Sequence, residues 1–313
     1  MNVLITGATG FVGSRLFERT QAMHKFQVFG TSRKACEKNN IFNVGMLNSE
    51  TDWSSVLRGV DVVVHTAAMI DATKYNDFYS ESELRQVNVG GTMHLANEAA
   101  AAGVKRFVFI STIKVNGEST EPDLPFSPLD LPSPEDWYGV SKMEAEQGLR
   151  SISDISGIEV VIIRPPLVYG PGVKGGFQSL MKLANTSYPL PLGGINNSRS
   201  FVSLDNLVDL IITCLDHSKA AGEMFLICDG KDLSTSELLD KLRTVVGKPA
   251  NLFWFPAVLL KMVSILLGKR FVYDKLFSSL QVDDSYTRRT LDWHPPLTLD
   301  EGLSVCSRST KES

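Results

Sequence analysis

A doubly wound α/β fold, with a parallel sheet covered by helices on both faces, is what this 313-residue chain predicts. Three observations lead there. Short apolar, β-branched runs alternate with helical patterns through the first half of the chain. Those runs are continuously apolar rather than alternating, as strands buried on both faces are. The first run leads straight into Gly7-Ala8-Thr9-Gly10-Phe11-Val12-Gly13, a glycine-rich turn that opens a helix.

In chain order, strands are expected at Asn2–Thr6, Gln27–Gly30, Ile41–Val44, Val60–His65, Phe107–Ser111 and Glu159–Arg164. Helical patterns fill the gaps at Val12–Thr20, Glu81–Ala102 and Tyr138–Ile155. After Arg164-Pro165-Pro166 the character changes. Gly170-Pro171-Gly172, Gly175-Gly176, Pro189, Pro191 and Gly193-Gly194 make a loop-rich stretch of the kind that often carries binding surfaces. Glu223–Cys228 reads as one more buried strand, and helices follow at Thr235–Val246, Ala257–Leu267 and around Asp283–Leu291. The expected division is a nucleotide-binding domain of residues 1–168 and 199–228, interleaved with a smaller substrate lobe of 169–198 and 229–313. There are no internal repeats and no low-complexity tract.

Composition narrows the class. A net charge of −4 without a basic stripe argues against nucleic acid. The first strand begins at Asn2, which leaves no room for a signal peptide, so the expected compartment is the cytoplasm. Cys36, Cys214, Cys228 and Cys306 lack any C-x-x-C or metal spacing and read as reduced structural thiols. His24, His65, His94, His217 and His294 show no metal pattern, and His65, at a strand end, reads as packing. The strongest apolar run, Leu252 to Leu267, is interrupted by Pro256 and Lys261 and is shorter than the ~20 residues a membrane span needs. A buried or lid-forming helix is the preferred reading, with peripheral membrane contact the alternative.

The glycine turn is a dinucleotide-binding signature in its required context. Gly7 allows the tight turn, Gly10 the approach of a pyrophosphate, and Gly13 close helix–sheet packing. The helix N-terminus then faces the phosphates with free N–H groups. At the end of the second strand, an acidic residue would bind a ribose 2′-hydroxyl and select NAD. The chain instead reads Thr31-Ser32-Arg33-Lys34. Arg33, helped by Ser32, Lys34 and Arg15, suits a 2′-phosphate, so NADP(H) is favoured over NAD(H). A solvated basic turn is the plain alternative.

Tyr138-Gly-Val-Ser-Lys142 places a phenol and an ammonium one helical turn apart on one face. Alone, the spacing usually marks a surface pair. Next to a nucleotide turn it becomes an acid/base couple, in which the lysine charge is expected to lower a phenol pKa that is ordinarily about 10.

Together, Gly7/Gly10/Gly13, Tyr138 and Lys142 resemble the extended short-chain dehydrogenase/reductase family of nucleotide-sugar epimerases, dehydratases and reductases. Further matches are His65-Thr66-Ala67-Ala68, Asn88-Val89-Gly90-Gly91-Thr92, Arg164-Pro165-Pro166-Leu167-Val168-Tyr169-Gly170 and Arg199-Ser200-Phe201-Val202 through Asp205. The resemblance runs almost end to end and implies the Rossmann architecture. It also implies catalysis by Thr112, Tyr138 and Lys142. Cofactor contacts are implied at Gly7, Thr9, Gly10, Phe11, Val12, Ser32, Arg33, Ala67, Ala68, Asn88 and Pro165, besides Tyr138 and Lys142. Substrate contacts are implied at Thr112 and Lys114, and no metal. The fork of Arg199 suits a diphosphate, Lys275 is set beside that role by position alone, and Phe177 reads either as a stacking platform for the nucleotide base or as a core aromatic. Asn116 stands where the family usually has a tyrosine, and Met46-Leu47 where an acidic residue usually meets adenine. A homodimer through the helices at Glu81–Ala102 and Tyr138–Ile155 is usual for the family.

The stretch Ser111-Thr112-Ile113-Lys114-Val115-Asn116-Gly117-Glu118, with Pro189-Leu190-Pro191-Leu192-Gly193, is similar to a bacterial subgroup that resembles 4-epimerases. That subgroup includes 4-keto reductases forming UDP-N-acetylquinovosamine for surface polysaccharide. The expected activity is therefore NADP(H)-dependent reduction of the 4-keto group of a nucleotide-activated sugar. A UDP-hexose 4-epimerase using NAD is the alternative. A non-catalytic cofactor-sensing regulator is a third reading, but such proteins usually lose the Tyr/Lys pair.

Overall fold

The computed structural model describes residues 1–70 and 80–310. The chain begins with β1 (Asn2–Thr6), α1 (Phe11–Gln21), β2 (Gln27–Ser32), β3 (Ile41–Asn43), β4 (Val62–His65) and α2 (Glu81–Arg85). It continues with α3 (Thr92–Ala101), β5 (Arg106–Ile110), α4 (Trp137–Ser156), β6 (Glu159–Arg164) and β7 (Leu167–Tyr169). Then come α5 (Gly176–Ala184), β8 (Phe201–Ser203), α6 (Leu204–Cys214), β9 (Met224–Leu226) and α7 (Thr235–Val245). The last elements are α8 (Ala257–Leu266), α9 (Arg270–Phe277), α10 (Ser285–Leu291) and α11 (Leu299–Thr310).

Seven strands form one sheet in the order β3-β2-β1-β4-β5-β6-β9, and every pairing in it is parallel. The doubly wound expectation holds. Because side chains alternate along a strand, each strand feeds both faces. Val3 and Ile5 point into one core with Leu16 and Phe17 of α1 and Leu207 and Ile211 of α6. Leu4, Phe107 and Phe109 point into the other with Leu95 of α3 and Leu149 of α4. The chain reverses direction around β1 and β4, and ligands of such sheets bind in the crevice at the carboxyl ends of those strands.

The structure differs from the expected elements in five ways that matter. The single helix expected over Glu81–Ala102 is broken at Gln86–Gly91 by a wide π-type turn. Asn88 causes the break by spending its side chain on neighbours, while Gly91 passes close to Leu47. The loop-rich stretch after Gly170 contains α5. Helix α6, which was not among the expected helices, sets Asp205, Asp209 and Thr213 on one face and buries the rest. The strands β7 and β8, three residues each, pair with one another outside the main sheet. Finally, α8 is not the buried helix expected from its apolar run: none of its residues is buried.

A third apolar cluster joins Phe177 of α5, Leu238 and Leu242 of α7 and Leu303 of α11, with Tyr169 and Leu192 between them.

Candidate active site

The glycine turn has the shape a dinucleotide needs. Gly7 sits at φ +69°, and a Cβ there would lie 2.9 Å from the Ala67 Cα at the end of β4. The Gly10 N–H donates to the Gly7 carbonyl (2.8 Å), closing the turn. A Cβ on Gly13 would stand 2.2 Å from the Gly7 oxygen, so only glycine lets α1 pack so near the strand end. Gly10 caps α1 without a side-chain bond, which leaves the first N–H groups of the helix to an anion. Thr9 and Gly10 are exposed, and Phe11 and Val12 half-buried. The residues fit the pyrophosphate of a dinucleotide.

Around the second strand the placement is mixed. Arg33 is exposed at the strand end, where a 2′-phosphate would lie. Ser32 is buried, and its hydroxyl donates to the Lys34 carbonyl (2.5 Å). Arg15 does not assist, because it is held by Asp205 of α6 at 2.7 Å. Of the expected basic group, Arg33 and Lys34 remain in the open.

Helix α4 carries Tyr138 and Lys142, the expected acid/base couple. Asp136 caps it, accepting from the Gly139 N–H (2.7 Å), and Gly157 ends it in the left-handed region. Tyr138, Lys142 and Glu146 follow at steps of four, so all three share the face turned toward the sheet. Lys142 is buried with Nζ 4.0 Å from the centre of the Phe109 ring. Burial pulls its pKa down to about 7, opposed by Glu146. Burial, and then the Asp136 charge, push the Tyr138 phenol above its ordinary value. The direction is opposite to the expectation that Lys142 holds the phenol low: burial and the Asp136 carboxylate set it.

The end of β5 supplies Thr112. Its Oγ1 accepts from the Lys114 N–H (3.3 Å) and makes no other bond among the described residues, so the hydroxyl hydrogen is available. The Ile113 N–H donates to the Pro165 carbonyl (2.9 Å), which ties the Thr112 strand end to that of β6. Asn88 accepts from the Met69 N–H and donates to the Met69 carbonyl, both at 2.8 Å, and donates to Ser141 Oγ at 3.0 Å. It thus locks the segment after β4, with Ala67 and Ala68, onto α4.

Beside Thr112 stands a charged cluster that the sequence reading named only in part. Lys114 Nζ pairs with Asp136 and with Glu118 (2.8 Å). Burial lowers the pKa of Arg199, and the Glu118 charge opposes this, so the Lys114 cluster and Arg199 are electrostatic neighbours. Nη1 of Arg199 donates to the Lys275 carbonyl (3.1 Å) and to the Ser278 carbonyl (2.9 Å). Lys275 lies beside it through its backbone, its Nζ 4.0 Å from the Phe271 ring centre. Phe177 is not brought to this group. It is fully buried and stacked on Tyr169 at 5.3 Å, a core side chain with no face to offer a base.

Asp136 and Glu146 were missed in the sequence, though both left a signal. Asp136 is a helix-capping residue just ahead of Tyr138, and Glu146 continues the four-residue step. Glu146 makes two bonds to Arg164, at 2.9 and 2.5 Å, and accepts from Ser111 Oγ at 2.5 Å. Asn116 accepts from Arg164 Nη1 (2.9 Å), which gives the residue in the family's tyrosine position a structural task.

His65 is structural, as expected. Its ring nitrogens lie 2.6 Å from Thr6 Oγ1 and 3.0 Å from Thr92 Oγ1, and the ring stacks on Phe109. Burial and the Lys142 charge drive its pKa down to about 3. Between that value and 6.5 the unfolded chain binds a proton that the native chain refuses, so stability falls as pH falls through this window. Between about pH 6.5 and 5 the loss from this group is about 1.5 kcal/mol. Urea titrations across that range should show a shallower pH slope in His65→Gln than in the parent; an equal slope would remove His65 as the source.

Among the described residues no cluster of His, Cys, Asp and Glu could hold a metal. A parallel seven-stranded sheet, a glycine turn and a Thr/Tyr/Lys set at its carboxyl edge define an NAD(P)-dependent enzyme of the extended short-chain dehydrogenase/reductase type. The chain belongs to the NAD dependent epimerase/dehydratase family, whose sequence model matches residues 3–228. It is 46% identical over 311 residues to a UDP-glucose 4-epimerase of Vibrio cholerae, covering 98% of this chain and 95% of that one. Its fold matches that of UDP-glucuronic acid 4-epimerase from Bacillus cereus in complex with NAD, with TM-score 0.79 and 23% identity over 100% of this chain and 99% of the other. It also matches RMD from Pseudomonas aeruginosa complexed with NADPH, with TM-score 0.75 and 21% identity over 99% of both chains.

Proposed function

We propose that this protein is a 4-epimerase of UDP-hexoses or UDP-hexosamines. The observation that carries this reading is the 46% identity over nearly the whole chain with a UDP-glucose 4-epimerase. The site is in keeping with it. Gly7, Gly10, Gly13 and the first turn of α1 would hold the dinucleotide pyrophosphate, and Lys142 its nicotinamide ribose. When bound, the nicotinamide supplies an acceptor and donor of hydride for carbon 4 of the sugar. Tyr138 takes the proton from the 4-hydroxyl and returns it to the 4-oxygen of the product. Thr112 donates its free hydroxyl hydrogen to that oxygen and so fixes its position. Lys114 neutralises Asp136, which otherwise raises the phenol further and hinders proton removal. Arg199 and Lys275 stand where they suit a diphosphate. The division of residues 1–168 and 199–228 from 169–198 and 229–313 into cofactor and substrate lobes belongs to this proposal, as does a homodimer through α3 and α4.

Incubation with UDP-glucose, UDP-galactose and their N-acetyl forms tests it. Interconversion of the 4-epimers without net change of cofactor is expected. Stoichiometric oxidation of NADPH by a 4-keto UDP-sugar, with no epimerisation, would sink this reading.

That second outcome corresponds to a 4-keto reductase, the activity first expected from the sequence. One observation favours it: the end of β2 offers exposed Arg33 and no carboxylate. Under that reading Arg33→Ala weakens NADPH binding about tenfold to a hundredfold and leaves NADH unaffected. Fluorescence titration of both cofactors checks this; equal NADPH affinity in parent and variant removes the argument from Arg33.

A further inference from the structure

Helix α8 turns its apolar stripe the wrong way for a helix that belongs to a core. Leu259, Met262, Val263 and Leu266 stand at i, i+3, i+4 and i+7 and all are exposed, Leu266 by 83%. Leu260 is the α8 side chain that packs on the lobe. Ahead of the helix Trp254 is 70% exposed, and after the turn Phe271 of α9 is exposed as well. Val258, Ile265 and Leu267 on its other sides are exposed too, so the helix is apolar on most of its surface. Such a helix is ordinarily buried, and an apolar surface of this extent marks a partner site.

The charges around the stripe identify the partner. In a chain of net charge −4, residues 252–277 carry Lys261, Lys269, Arg270 and Lys275 against Asp274 alone. Asp274 is itself paired with Arg270 at 3.6 Å. A second copy of this surface would set basic residues against basic residues across the apolar patch, which disfavours self-association. Anionic headgroups beside an apolar interior complement both features. At ten residues, α8 is too short to cross a bilayer, and no described helix is long and apolar enough to do so. It can lie in the interface.

We infer that the α8–α9 hairpin docks this enzyme on the surface of an anionic lipid bilayer. The hairpin is tied to the substrate lobe: the Gly193 N–H donates to the Phe253 carbonyl (3.0 Å), and Arg199 grips the end of α9. Docking therefore sets Arg199, which bonds the end of α9, near the headgroups.

Flotation of the full chain with phosphatidylcholine vesicles, and with vesicles containing about 30% phosphatidylglycerol, tests the inference. The parent floats with the anionic vesicles several-fold more than with the neutral ones, and salt weakens the binding. Met262→Glu/Leu266→Glu lowers flotation about tenfold or more. Lys261→Glu/Lys269→Glu removes the preference for phosphatidylglycerol. Thermal unfolding followed by circular dichroism stays at the parent temperature in both variants, because these side chains make few native contacts. Absence of flotation in the parent, or equal flotation of parent and apolar variant, overturns the inference. So does a parent dimer that Met262→Glu/Leu266→Glu converts to monomer without any vesicle binding.

Discussion

Tyr138→Phe is expected to lower kcat about a thousandfold while leaving cofactor affinity unchanged, because general acid–base groups contribute on the order of 10²- to 10⁴-fold. The substitution removes one oxygen and keeps the ring. The effect therefore belongs to the proton, not to packing. Steady-state kinetics on a UDP-sugar, with cofactor titration alongside, measures both quantities. A kcat within a few-fold of the parent would remove Tyr138 from the chemistry and revive the regulator reading. The electrostatics add a second expectation. The resting phenol is held high by burial and by Asp136, and Asp136 is offset by its ion pair with Lys114. Lys114→Ala leaves that carboxylate uncompensated, so the acid limb of the pH–rate profile moves to higher pH. A purely structural role for Lys114 would change Tm and leave the limb in place.

Glu146→Ala is expected to cost about 3–5 kcal/mol of stability, since it leaves Arg164 buried and without its carboxylate. Both side chains are only 4% exposed. The pair joins α4 to the end of β6, and through Ser111 and Asn116 to the end of β5. It thereby braces the helix of Tyr138 against the two strand ends that carry Thr112 and Pro165. Urea unfolding should show a lower midpoint at unchanged m-value. Replacing both partners, Glu146→Leu with Arg164→Met, should recover much of the loss, because the desolvation cost of the charges then disappears. A midpoint within experimental error of the parent in the single variant would show that solvent reaches the pair.

What could be read in the chain follows from the range of the forces involved. β1 and β6 came out residue for residue, because a buried strand declares itself in a run of five or six side chains. Helices α1 and α4 came out within a residue or so at each end, since caps and four-residue steps are local. The glycine turn and Tyr138/Lys142 were legible for the same reason. Their chemistry depends on spacing within one turn or one helix. α6, whose polar face at Asp205, Asp209 and Thr213 recurs in four-residue steps, carried a local signal of the same kind.

The sequence by itself determined the parallel sheet, the glycine turn and the helix that sets Tyr138 and Lys142 one turn apart, all of them local patterns with a physical signature of their own. Tertiary structure alone decided the rest. It moved Phe177 from the expected base platform into the core against Tyr169, and gave Arg15 to Asp205. It also made Glu146 the brace of Arg164. The apolar run after Leu252 shows the reason most plainly. Hydrophobicity says that a surface tends to leave water, but the partner that covers it is set by long-range packing, and here that packing leaves α8 facing outward.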